Sequence, residues 1–211
     1  MEAIKFTSGE LRLTNEVINR LEKLGYTPES LEEAISKHEW KHESDSPALY
    51  CGTYGKYNSC SLFGMWVDIS TFDYYEEFEA FCFAIHADEA DPEIMFQDFD
   101  NMPDCLYNES MGKKGIEKIM EYWGMCNEYS VPAVNDFLEW QTPEYLCDMY
   151  DAYIGVYDSE EDFARETVNE CYDLEKMMGN LADYFDYDAL ARDLFMCDYY
   201  FGSHGTVFAR C

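Results

Sequence analysis

The chain has 211 residues, 47% of them hydrophobic and 17% aromatic, and sets 14 Lys and Arg against 44 Asp and Glu for a formal net charge of −30. So much apolar material excludes low-hydrophobicity disorder, and a charge far above the roughly 2 to 8 of a small soluble domain excludes free nucleic acid and anionic membranes as partners. Self-repulsion of this size works against a compact state, so a function has to require it; a basic protein surface, polyamines or metal cations have the complementary sign.

Residues 1–47 hold six cations and ten acids, a net charge of −4. Val17, Ile18, Leu21 and Leu24 recur at helical spacing before Gly25, and Thr27-Pro28-Glu29 reads as a cap with proline at the first helical position. The segment is expected to be a helical hairpin, an N-terminal extension ending in a linker at Ser44 to Pro47. From Ala48 the pattern turns to strands at Ala48 to Tyr54 and Ser61 to Ile69, joined by a turn-rich Gly55 to Ser59. Asp73 with Glu76 resembles a capping box, and Phe72, Tyr75, Phe78, Cys82 and Ile85 make one helical stripe. Ile94 to Phe99 fits a third strand, giving a small α+β domain over residues 48–104.

Residues 105–150 read as a helical middle domain. Ile116, Ile119, Met120, Trp123 and Cys126 share a face, as do Val134, Phe137 and Leu138, and Thr142-Pro143-Glu144 starts another helix. Residues 151–211 read as a C-terminal α+β domain. It has a strand at Tyr153 to Tyr157, a capping box at Ser159 to Asp162, and helices before and after Gly179. A closing hairpin turns at Gly202-Ser203-His204-Gly205.

The acids are not mixed with cations. Residues 57–112 contain no Lys or Arg and thirteen Asp and Glu, and the stretch between Lys118 and Arg165 repeats the pattern with eleven. Residues 48–211 have eight cations and 34 acids, a net charge of −26. A compact body of that size spans roughly 40 Å, which is about one net charge per 1.5 Å; drawn out twofold it still has about one per 3 Å, against one per roughly 1.7 Å of duplex DNA axis. A rigid body of this kind matches the charge density that a phosphate-gripping groove selects.

Competing chemistries have less behind them. His38-Glu39-Trp40-Lys41-His42 matches H-E-x-x-H, in which His38 and His42 would ligate zinc beside a general-base Glu39. The same residues also extend a packing stripe through Leu31 and Ile35. The acids of Asp88 to Asp100 lack the central glycine and alternating ligands of a calcium loop. Neither G-x-S-x-G, nor a phosphate-binding loop, nor G-x-G-x-x-G occurs, so the reading is a non-enzyme without cofactors. Nine cysteines without a C-x-x-C pair, no signal-like start and no apolar run near 20 residues set the expectation of a cytoplasmic protein with small, buried cysteines.

Tyr54-Gly55-Lys56-Tyr57-Asn58, Ser61-Leu62-Phe63-Gly64-Met65-Trp66, Leu181 to Arg192 and Gly202 to Phe208 stand in the order found in the ArdA antirestriction proteins, which residues 48–211 therefore resemble. The resemblance implies a DNA mimic that inhibits type I restriction-modification enzymes. It implies three small domains in an elongated, curved body that forms a homodimer, without catalytic residues; the 47-residue extension departs from shorter members. On this reading carboxylates occupy the DNA groove formed by the specificity and methyltransferase subunits. The candidates are Asp68, Asp73, Glu76, Glu77, Glu79, Asp88, Glu89, Asp91, Glu93, Asp98 and Asp100, then Glu121, Asp136, Glu139, Asp148, Glu160, Glu161 and Asp162. An acidic adaptor for some other basic protein, or a zinc hydrolase at His38 and His42, are the alternatives.

Overall fold

The computed structural model describes residues 2–210; Cys211, one of the nine cysteines, lies outside the described residues. The fold is mixed α+β, with ten α-helices and three small antiparallel sheets among the described residues. Contacts divide it into two compact units, Met1–Trp123 and Gly124–Cys211. Among the described residues no helix is long and apolar enough to cross a membrane.

The first unit opens on a feature that the helical reading of the N-terminal segment missed. Strands β1 (Ala3–Phe6) and β2 (Gly9–Arg12) form a hairpin that pairs Ile4 with Leu11 and Lys5 with Glu10. The apolar pair is buried and the charged pair faces water, the two-residue alternation of a half-buried ribbon. Helices α1 (Asn15–Lys23) and α2 (Pro28–His38) follow, each capped by a threonine hydroxyl, and the Thr27 cap is reciprocated by Ser30.

This segment is tied to the rest of the unit. Ser8 Oγ donates to the Gly64 carbonyl, Arg20 donates to the Ala87 carbonyl at 2.9 Å, and the Trp40 N–H donates to the Trp66 carbonyl at 3.1 Å. The expected linker is bound too: Ser46 Oγ donates to Asp68 at 2.8 Å and Asn101 donates to the Ser44 carbonyl at 2.7 Å.

The central sheet has the order β4-β3-β5, with β3 (Ala48–Thr53) between β4 (Met65–Asp68) and β5 (Ile94–Asp100). Five of the six β3 residues are buried, as a middle strand requires. The turn expected at Gly55 to Ser59 is helix α3 (Tyr54–Asn58), which Thr53 caps by accepting from the Lys56 N–H. Helix α4 (Tyr75–Ile85) starts at Tyr74 with no side-chain cap, so Asp73 is not the expected N-cap. Glu76 and Glu77 in its first turn instead face the positive end of the helix dipole. Its buried Phe78, Phe81, Cys82 and Ile85 recur every three or four residues, and each buried Phe contributes about 2 to 3 kcal/mol. Helix α5 (Lys113–Glu128) buries Ile116, Ile119, Tyr122, Met125 and Cys126.

In the second unit, α6 (Val131–Trp140) leads through a 3-10 stretch (Pro143–Asp148) and the short α7 (Met149–Ala152) into β6 (Tyr153–Val156). Helix α8 (Glu160–Cys171) starts at Ser159, whose hydroxyl accepts from the Asp162 N–H, the cap read from sequence. Then come α9 (Leu174–Met178), a 3-10 stretch (Gly179–Tyr184), α10 (Tyr187–Cys197) and the strands β7 (Tyr199–Phe201) and β8 (Thr206–Ala209). The sheet order is β6-β8-β7, so the closing hairpin supplies the middle strand. Phe208 on that strand is fully buried, with ring centroids at 5.3 Å from Phe137 and 6.2 Å from Tyr153.

Candidate functional site

Two of the sequence motifs resolve into charge-binding nodes that fix the scaffold. In the first unit, Lys56 on α3 lies 2.7 Å from Asp88 and 3.2 Å from Glu89, with its Nζ 4.6 Å from the centroid of the Phe63 ring. Lys56 Nζ also contacts His86 Nδ1 at 2.9 Å. An ammonium has only protons to give, so Nδ1 accepts and Nε2–H is the donor to the Cys51 carbonyl at 3.3 Å. The glycines of this motif are set by close approach: a Cβ at Gly55 would meet a Glu89 oxygen at 2.8 Å, and one at Gly64 would run into the Cys51 carbonyl oxygen.

The second node surrounds Asp136 on α6, which is fully buried. The hairpin turn folds over it. Its carboxylate accepts from the N–H of His204 at 3.0 Å, the N–H of Thr206 at 3.2 Å and His204 Nδ1–H at 2.7 Å. Burial alone would raise the Asp136 carboxyl, but these donors outweigh it and hold it below the usual carboxylate range. Gly202 has no room for a side chain, because a Cβ there would land on the Asp136 carboxyl, and Gly205 takes φ +87° to close the turn. Asp136 serves the fold, and a carboxylate with no exposed surface is unable to face a partner.

The remaining candidates sort by exposure and by countercharge. Asp73, Asp91, Glu93, Asp98, Asp148, Glu160 and Asp162 are exposed, and among the described residues no Lys or Arg forms an ion pair with any of them. Exposed Glu139 accepts from Ser203 Oγ at 2.7 Å. Others are partly neutralised: Glu76 by Lys113, Glu77 by Lys37 at 3.5 Å, Glu121 by Lys118 at 2.6 Å and Glu161 by Arg165 at 2.6 Å. Half-buried Asp68 caps a turn by accepting from the Ser70 N–H, half-buried Glu79 accepts from the Tyr75 hydroxyl at 2.6 Å, and Asp100 is half-buried. Several exposed acids lie outside the candidate set, among them Glu166, Glu170, Asp183 and Asp193. Arg165, Lys176 and Arg192 are interspersed with these, so no cation-free run marks them in the sequence.

The zinc alternative fails on geometry. Helix α2 ends at His38, and Glu39 is extended at φ −66° and ψ 119°, where it bridges Val67 on the open edge of β4. His38 and His42 therefore do not share a helical face. His38 is buried and stacked on Phe72 at 3.9 Å between ring centroids, whereas His42 is exposed. The Thr71 hydroxyl donates to the Asp68 carbonyl, so it accepts from His38 Nδ1–H at 2.7 Å. Burial, helped by nearby Lys37, lowers the His38 imidazole to about 4, so it is neutral at ordinary pH.

Against known proteins, a family model described as antirestriction protein (ArdA) matches residues 49–208, most of the chain. No curated protein matches it.

Proposed function

Because this chain belongs to the antirestriction protein (ArdA) family, we propose that it blocks restriction as a DNA mimic directed at type I restriction-modification enzymes. Membership implies antirestriction, with restriction enzymes as partners; the mimicry and the type I target are our reading. Exposed carboxylates that no cation offsets stand in for phosphates, the basic groove of the specificity and methyltransferase subunits closes on them, and DNA is shut out. The observation that supports this is the set of uncompensated exposed acids, Asp73, Asp91, Glu93 and Asp98 in one unit and Asp148, Glu160 and Asp162 in the other, mounted on folded aromatic cores.

The physics favours a distributed interaction. Each exposed charge pair is worth about 0 to 1 kcal/mol, so affinity comes from many at once and falls with salt as the Debye length shrinks. The reading includes an elongated, curved body, cytoplasmic location and a homodimer. Exposed Met177, Leu181, Tyr184 and Met196 on and around α9 and α10 supply apolar surface suited to a dimer contact.

The test is inhibition of DNA cleavage by a purified type I enzyme at several DNA concentrations. Competitive mimicry requires the inhibitor concentration for half-inhibition to rise with DNA. A constant value would place inhibition elsewhere than the DNA groove.

A further inference from the structure

The first unit contains a cavity of about 370 Å³ whose lining includes Trp40, Tyr50, Trp66 and His42, within the size range of ligand sites. The Trp40 and Trp66 ring centroids are 5.4 Å apart at 45°, Tyr50 stands edge-on to Trp66 at 5.6 Å, and the His42 ring lies 5.3 Å from Trp40. Trp40 Nε1–H donates to the Ser46 carbonyl at 3.2 Å, and the Tyr50 hydroxyl donates to the Leu62 carbonyl at 2.8 Å. With those polar tips satisfied by main chain, what the two side chains give the cavity is ring surface.

Two carboxylates, Glu39 and Asp100, also line it beside Thr7, Ser8, Gly64 and Met65, and the lining has no Lys or Arg. Among the described residues no cation pairs with either acid. Aromatic faces and carboxylates together attract a cation with an apolar or planar body. A hard metal ion is a poor fit, because it needs six or more oxygen ligands and the rings offer none.

We infer that this cavity is a binding site for an organic cation of the guanidinium or alkylammonium class. The inference goes beyond DNA mimicry and does not require it. Glu39, Trp40 and the turn between β1 and β2 precede residue 49, where the family match begins, whereas Tyr50, Trp66 and Asp100 lie inside it. The site thus exists only where the N-terminal segment meets the family body.

The test is an NMR titration of the full chain at pH 8, following the four tryptophan indole N–H signals. The probes are N-acetyl-arginine amide, its uncharged isostere N-acetyl-citrulline amide, and spermidine. The site predicts saturable shifts at Trp40 and Trp66 with the cations, none at Trp123 and Trp140, and none with the citrulline compound. Tighter binding of the arginine compound identifies a protein side chain as the natural occupant; tighter spermidine identifies a free polyamine. The double variant Glu39→Gln with Asp100→Asn weakens binding by about tenfold or more, while Glu170→Gln with Asp183→Asn in the other unit, exposed acids outside the mimic's set, leaves it unchanged. Equal loss in both double variants, shifts at all four tryptophans, or equal binding of citrulline would overturn the site in favour of diffuse charge or plain apolar filling. None of these outcomes bears on DNA competition.

Discussion

Replacing Asp136 by Asn separates a structural carboxylate from a surface one, although the two look alike in sequence. The wild-type carboxylate accepts three hydrogen bonds, two from the main chain of the closing turn. An isosteric amide keeps one acceptor oxygen and turns an NH2 toward the other donors. If oxygen stays toward His204, the Thr206 N–H, on a residue 1% exposed, loses its acceptor. An orphaned buried donor costs about 1 to 3 kcal/mol, and the bonds that survive lose their charge assistance. We therefore expect a loss of about 2 to 4 kcal/mol, or about 5 to 10 °C in Tm for a chain of this size. Asp136→Ala, which removes every acceptor, costs about 3 to 5 kcal/mol.

The assay is thermal unfolding followed by near-ultraviolet circular dichroism at pH 7, with Asp98→Asn as the exposed control that stays within about 0.5 kcal/mol of the parent. The Asp136 carboxyl is held below its unfolded value, so its contribution is complete above the unfolded carboxylate pKa and disappears as pH falls through the folded one. The gap between parent and Asn variant should narrow in acid. A variant that melts within a degree or two of the parent at pH 7 would refute the claim that this node holds the turn.

Three further outcomes follow from the same geometry. Any one of Asp73, Asp91, Glu93 or Asp98 changed to its amide should alter inhibition of a type I enzyme by less than about threefold, whereas all four together should weaken it by more than about tenfold and flatten its salt dependence; inhibition curves across salt check this. Gly64→Ala drives a methyl into the Cys51 carbonyl and should destabilise the first unit by about 2 kcal/mol or more, read by urea unfolding. His38 is neutral in the fold down to about 4 but protonates near 6.5 when unfolded, so stability should fall as pH drops from about 6.5 to about 4; urea midpoints of His38→Gln should lack that part of the slope.

What sequence reasoning reached was local. The Thr27-Pro28 and Ser159 caps, the strand β5 and the Gly202 to Gly205 turn depend on neighbours in the chain and appear as expected. Four-residue strands such as β1 and β2 are too short for their alternation to stand out before a strongly helical stretch. Glu39-Trp40-Lys41 contains no local stop signal, and α2 ends there because Glu39 and Trp40 pair with β4, a contact made 26 to 28 residues away. Asp136 reads as surface by residue type, and only the turn 66 to 70 residues later explains its burial. The same distance hid the countercharges, since Lys56 and Lys113 neutralise acids more than thirty residues distant.

The most direct measurement of the central claim is the affinity of a purified type I methyltransferase for its DNA, taken with increasing amounts of this protein at low and at high salt. Mimicry predicts that apparent DNA affinity falls in proportion to added protein at low salt and that the effect fades as salt rises. DNA affinity that stays unchanged at low salt, with the protein in excess, would contradict it.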